Sequence, residues 1–241
     1  MSNISLYCLP YSGGSASIYY KWHTKLADNI TLVPLEPAGR GTRISQPLCQ
    51  TIEDAIQDFY QQFITRYDGG DYVIFGHSLG GLMAFELVHY ILDQGYAMPK
   101  AIFFSGARPP DRVHDEKILH TLSDTDFITE IAKLGGTSVE VLRNKELMNI
   151  FTPIIKNDYR LYEQYSFQPK SRVLTCPIII LHGDADSLVA LEELPRWEKF
   201  TDKEIKIITF PEGDHFFVDK KYEQLVNIIN QTIKDVTQRK E

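Results

Sequence analysis

The sequence predicts an α/β fold: a mostly parallel central sheet flanked by helices, with a helical lid insertion. Three observations predict it. Short β-branched or aromatic runs alternate with helical patterns along most of the chain. A glycine-rich turn joins one of those runs directly to a helix, and the alternation stops between about residues 108 and 168.

In chain order, the strand candidates are residues 4–9, 30–35, 72–75, 101–105, 177–181 and 205–210. Each is short and apolar, as for strands buried on both faces of a parallel sheet. Helical patterns fill the intervals at 17–27, 51–66, 79–94, 191–199 and 219–237. The helix at 51 begins with a capping threonine and carboxylates in its first turn, Thr51-Ile-Glu-Asp54. The helix at 79 sets Leu79, Leu82, Met83, Leu87, Tyr90 and Ile91 on one stripe. Between 108 and 168 helices are expected at 124–134 and 145–165 and no strand. An all-helical insertion between strands belongs over the carboxyl edge of the sheet, where open α/β sheets bind ligands. No repeat, low-complexity tract or linker divides residues 1–241, so one domain is expected.

The chain has 241 residues, 43% of them hydrophobic, enough for a large buried core. A formal net charge of −7 without a basic cluster excludes nucleic acid as a natural partner. No apolar run reaches the roughly 18 residues of a membrane span, and the N-terminus lacks the basic and apolar regions of a signal peptide. The three cysteines, Cys8, Cys49 and Cys176, are widely spaced and odd in number. They read as reduced thiols of a cytoplasmic protein. A monomer is the default.

The chemistry centres on Gly76-His77-Ser78-Leu79-Gly80-Gly81. Gly-x-Ser-x-Gly between a strand and a helix is a nucleophile elbow: small residues let the helix fold back on the strand while the serine stands out. Serine needs a base, and in this architecture the acid and then the histidine follow it along the chain. His215, after the last strand in Pro211-Glu-Gly-Asp-His215, is at the right edge; His89, His114 and His120 are not. His77 adjoins the serine and reads as packing within the elbow. The loop Gly183-Asp-Ala-Asp186 offers the orienting carboxylate, with Asp186 preferred over Asp184, and Asp214 too close to His215 in sequence to reach its ring. A metal site from His182, Asp184, Asp186, Asp214 and His215 lacks any HxH or HxxxH pair, so metal is expected to be absent. The oxyanion needs two backbone donors: Leu79 N–H, after the nucleophile, and an N–H from Leu9-Pro-Tyr-Ser-Gly-Gly-Ser15, where Ser12 is favoured and Tyr11 is the alternative.

These segments, with Glu36-Pro-Ala-Gly-Arg-Gly-Thr-Arg43, Phe104-Ser-Gly-Ala-Arg-Pro-Pro110, Leu134-Gly-Gly-Thr137 and Asp158-Tyr-Arg-Leu-Tyr-Glu-Gln-Tyr165, resemble in order the type II thioesterases. These are stand-alone α/β-hydrolases that serve nonribosomal peptide and polyketide synthases. The resemblance covers nearly the whole chain. It departs at Pro37-Ala38-Gly39-Arg40, where the family more often has Pro-Gly-Arg, and at Ser12, where alanine is commoner. It implies hydrolysis of acyl groups from the phosphopantetheine thioester of acyl or peptidyl carrier proteins. The implied role is proofreading, through a Ser78–His215–Asp186 acyl-enzyme route and with no cofactor beyond the arm that the substrate carries. Because carrier domains are acidic like this chain, docking is expected to be transient and mainly apolar, with Arg108, Arg112 and Lys117 the cations nearest the lid. A carboxylesterase or lipase, or an acyltransferase on the same fold, is the competing reading.

Overall fold

The computed structural model describes residues 3–112, 118–136 and 139–238. Six strands form one sheet: β1 (Ile4–Leu9), β2 (Ile30–Pro34), β3 (Asp71–His77), β4 (Ile102–Ser105), β5 (Ile178–Gly183) and β6 (Ile205–Phe210). Their order is β2-β1-β3-β4-β5-β6, every pair parallel. All six expected strands are present. One expectation fails for two of them. The four inner strands are buried along almost their whole length, but β2 and β6 are the sheet's edges and are partly exposed. An edge strand has a neighbour on one side only, so its runs of isoleucine alternate with exposed Thr31, Lys206 and Thr209.

Successive inner-strand side chains feed opposite faces of the sheet. Tyr7, Leu9, Tyr72 and Ile74 pack on one side with α1 (Ile52–Arg66) and α2 (Leu79–Asp93). Leu6, Cys8, Val73 and Phe75 pack on the other with Trp22 and α7 (Tyr222–Gln238). Thr51 caps α1 reciprocally with Asp54, as its sequence implied. The single stripe expected on α2 understates its burial. Gly80, Gly81, Ala84, Phe85, Val88 and Leu92 are buried too, because α2 runs between the sheet, α1 and the region of Trp197.

Two of the expected helices, around Trp22 and Trp197, are 3₁₀ stretches, Ala16–Thr24 and Leu191–Phe200. Pro195 lacks the N–H that an α-turn needs there, and both segments are fixed by their buried tryptophans. The last helix is split into α6 (Phe217–Lys220) and α7. Between β4 and β5 lie α3 (Asp124–Leu134), α4 (Val139–Arg143) and α5 (Lys145–Glu163); α4 was not anticipated. Phe127, Ile131 and Ile155 join α3 to α5 in a small apolar cluster of their own. All three cysteines are free. Among the described residues, no helix is long and apolar enough to cross a membrane.

Register places the chemistry. Leu9 pairs with Gly76 and Gly183 with Phe210, so the loops after β1, β3, β5 and β6 leave the sheet side by side at its carboxyl edge.

Candidate active site

Ser78 ends β3 and begins α2 with φ 54° and ψ −120°, a backbone state that non-glycine residues rarely adopt. The neighbouring glycines show why the turn tolerates nothing larger. A Cβ on Gly76 would lie 2.0 Å from the Gly80 carbonyl oxygen, and one on Gly80 would lie 2.2 Å from the Leu9 carbonyl oxygen. Strand and helix therefore touch through backbone, and the serine side chain is turned outward.

His215 Nε2 lies 2.9 Å from Ser78 Oγ, and His215 Nδ1 lies 2.8 Å from Asp186 Oδ2. Asp186 is fully paired: its Oδ1 accepts the Leu188 and Val189 N–H groups at 2.8 and 3.3 Å. Burial pushes its carboxyl pKa up, but the His215 hydrogen bond and charge, with the Leu188 N–H, outweigh that and hold it below the usual carboxylate range. An ionised carboxylate only accepts, so the Nδ1 proton points at Asp186 and Nε2 is free to accept from Ser78. The alternatives for the acid lie elsewhere: Asp184 is exposed, and Asp214 pairs with Lys220. Asp186 thus comes from the loop after β5 and His215 from the loop after β6, as the sequence suggested. Among the described residues, no three His, Cys, Asp or Glu side chains gather as metal ligands.

His77 does more than fill the elbow. Its Nε2 lies 2.9 Å from the His215 carbonyl oxygen and its Nδ1 2.8 Å from Ser105 Oγ. A carbonyl can only accept, so Nε2 carries the proton and Nδ1 accepts from the Ser105 hydroxyl. Complete burial, with a smaller contribution from the nearby His215, lowers the His77 pKa to about 3 and keeps the ring neutral. His77 therefore anchors the backbone that carries the base. Sequence reasoning missed this because the partner is distant in the chain.

Ser12 and Leu79 both line a cavity of about 230 Å³ with Ser78 and His215. Among the described residues, neither backbone N–H has a protein acceptor. Leu79 opens α2, so its N–H sits at the positive end of a helix. The backbone N–H of Tyr11, the alternative donor, likewise has no protein acceptor among the described residues; its hydroxyl bonds Asp219 at 2.8 Å, and its ring meets His77 and Phe216. Leu119, Leu134, Tyr159, Tyr162 and Leu188 supply the apolar walls of the cavity. A second, wider cavity of about 720 Å³ also reaches Ser78 and His215 and runs out past Ile155 to the exposed Ile44 and Ile150. Ser78 thus lines both cavities.

Of the cations named near the insertion, Arg108 bonds the Leu188 carbonyl at 2.9 Å, and Arg112 pairs with Glu193 at 2.8 Å. Lys117 and His114 lie outside the described residues.

A serine hydroxyl bonded to a histidine that a carboxylate orients is equipment for acyl transfer. The thioesterase domain family matches residues 5–233. The chain belongs to that family. The thioesterase is 69% identical to ClbQ from the colibactin NRPS/PKS pathway, whose crystal structure superposes with a TM-score of 0.96 over 98% of this chain and 99% of that one. It is 30% identical to BorB, the type II thioesterase from the borrelidin biosynthetic cluster, at a TM-score of 0.85, covering 95% of this chain and 92% of that one. Among curated proteins it is 31% identical to the gramicidin S biosynthesis protein GrsT of Aneurinibacillus migulanus, over 93% of this chain and 87% of that protein. These neighbours give the parallel sheet its fold family, the α/β-hydrolases, and make the thioesterase an enzyme of thioester hydrolysis.

Proposed function

We propose that this thioesterase removes acyl groups from the phosphopantetheine arm of acyl or peptidyl carrier proteins and so edits a nonribosomal peptide or polyketide assembly line. The observation that carries the reading is the Ser78–His215–Asp186 relay, at 2.9 and 2.8 Å, with Ser78 and His215 lining both a cavity of about 230 Å³ and a wider one of about 720 Å³. The wider cavity would take the arm, and the smaller one, walled by Leu119, Leu134 and Leu188, the acyl group. The described helices between β4 and β5, which supply Leu134 and Tyr159 to both cavities, act as the lid.

His215 Nε2 takes the Ser78 proton as Oγ attacks the thioester carbonyl, and Asp186 stabilises the imidazolium that forms. The carbonyl oxygen becomes an oxyanion, held by the Leu79 and Ser12 N–H groups. Collapse breaks the C–S bond and expels the thiolate, which leaves readily because its conjugate thiol has a pKa near ~8.5, like that of cysteine; it takes the proton from His215, which returns to the neutral base. Water then enters, loses a proton to His215 and attacks the acyl-serine; collapse releases the acid and restores Ser78. These steps run on side chains and backbone amides alone, and the proposed enzyme is a cytoplasmic monomer with no cofactor of its own.

The test compares hydrolysis of acylated carrier protein and acyl-pantetheine with that of matched oxygen esters. A preference for the thioesters of about tenfold or more in kcat/KM supports the reading. A preference for oxygen esters makes the protein a carboxylesterase on the same fold.

A further inference from the structure

Two segments that carry the family resemblance, Pro37-Ala-Gly-Arg40 and Asp158-Tyr-Arg-Leu161, take no part in the relay, yet their charged residues meet at the loop after β1. Asp158 of α5 is 3% exposed and Arg40 is 5% exposed. The guanidinium grips the carboxylate with both arms, Nη1 at 2.5 Å from Oδ2 and Nη2 at 2.6 Å from Oδ1. Oδ2 also accepts the Gly13 N–H at 2.7 Å, and Arg40 Nη1 reaches the Gly14 carbonyl at 3.3 Å.

That loop is a tight turn closed by Gly14 N–H to the Tyr11 carbonyl at 2.8 Å, with Gly13 at φ 77° in its third position. The same helix limits it sterically, since a Cβ on Gly13 would lie 2.7 Å from Ile155 Cγ1. Helix α5 therefore sets the turn twice, by an acceptor on the Gly13 N–H and by a wall that admits only glycine. Ser12, one peptide earlier, lines the cavity beside Ser78 and His215.

A buried ion pair adds little net stability, because desolvating two charges offsets most of their attraction. Its geometric effect is clearer: Arg40 fixes the carboxylate, and the carboxylate fixes a peptide adjoining the oxyanion site. We propose that Asp158, held by Arg40, is a positioning residue for thioester hydrolysis, aiming the Ser12 N–H at the oxyanion and making that donor depend on the seating of α5. The inference rests on the reading of Ser12 as the second donor.

The experiment compares Asp158→Ala, Asp158→Asn and Arg40→Lys with the unaltered enzyme. Each is titrated to completion with a fluorophosphonate, so that rates are expressed per competent Ser78. Three quantities are read: kcat and KM on an acyl-pantetheine, inhibition by a trifluoromethyl ketone that forms an oxyanion adduct with Ser78, and binding of an unreactive thioether analogue. Asp158→Ala lowers kcat per site by about 10- to 100-fold and weakens the ketone in proportion, while KM and thioether binding stay within about threefold. Asp158→Asn, which keeps an acceptor for Gly13, recovers part of the loss, and Arg40→Lys, which keeps one charge contact, lies between. An unchanged kcat per site, or equal weakening of ketone and thioether, overturns the proposal; the second result would mark a role in cavity shape alone. If Asp158→Ala yields no folded protein, the same comparison decides on Asp158→Asn and Arg40→Lys. A preference of the unaltered enzyme for oxygen esters would refute the proposed substrate class, yet leave this test intact, since the ketone reports the oxyanion whatever the leaving group.

Discussion

At the scale of single residues, chemistry depends on hydrogen bonds whose direction is fixed by what each partner can donate. Asp186 can only accept from His215, so its replacement by asparagine offers an amide that stabilises the wrong tautomer. Asp186→Asn is expected to lower kcat by about 10⁴-fold with the folded state retained, checked by steady-state kinetics beside circular dichroism. Ser78→Ala abolishes turnover and acyl-enzyme formation; covalent labelling by mass spectrometry is the direct reading, and retained activity would refute the nucleophile. His77→Leu strands the His215 carbonyl and the Ser105 hydroxyl. It is expected to cost about 1–3 kcal/mol in denaturant unfolding, and kcat falls because the base loses its anchor.

At the scale of elements, the elbow exists because β3 and α2 meet backbone to backbone. Gly80→Ala forces a methyl group to 2.2 Å from the Leu9 carbonyl oxygen, whereas Gly95, at φ 85° beyond α2, has open space around its Cβ position. Gly80→Ala is therefore expected to destabilise by at least about 4 kcal/mol and Gly95→Ala by about 1 kcal/mol, a contrast that urea unfolding of the two variants measures. Strong periodicity made most elements legible: α3 runs over the expected 124–134, and β1 and β6 coincide with their expected ranges. The 3₁₀ stretches were read as ordinary helices because an apolar pattern reports which side chains are buried but not the turn geometry beneath them. The five residues of α4 are too few to show a period.

For the whole molecule, three buried histidines, His77, His89 and His182, couple folding to pH, since burial lowers the pKa of each. Burial is the main cause that lowers His77 to about 3 and His89 to about 4, from an ordinary value of 6.5. Below pH 6.5 the unfolded chain takes up protons that the folded chain refuses, so stability falls as pH drops from about 6.5 toward 4. His77 and His89 are each expected to contribute about 1.4 kcal/mol per pH unit across that window, roughly 2 kcal/mol at pH 5. Asp186, with its lowered pKa, adds to the loss only below about pH 4, where unfolded carboxylates protonate. Replacing His89 by Gln should flatten the slope of unfolding free energy between pH 6.5 and 5 by about one proton; an unchanged slope would show that His89 is not the source. Charge also bears on docking. With a net charge of −7, and Arg108 and Arg112 engaged within the chain, hydrolysis of acylated carrier protein is expected to change less than about threefold between low and physiological salt. A steep loss of rate with salt would contradict an apolar interface.

What the sequence determined by itself was the order of the strands and the placing of Ser78, Asp186 and His215 in the turn and loops after β3, β5 and β6, because local patterns report those directly. The tertiary structure decided the contacts between segments far apart in the chain: His77 on the His215 carbonyl, and Arg40 with Asp158 around the Gly13 turn. Composition and spacing carry no record of such pairs, since a buried polar group chooses its partner only when packing has brought that partner within hydrogen-bonding distance.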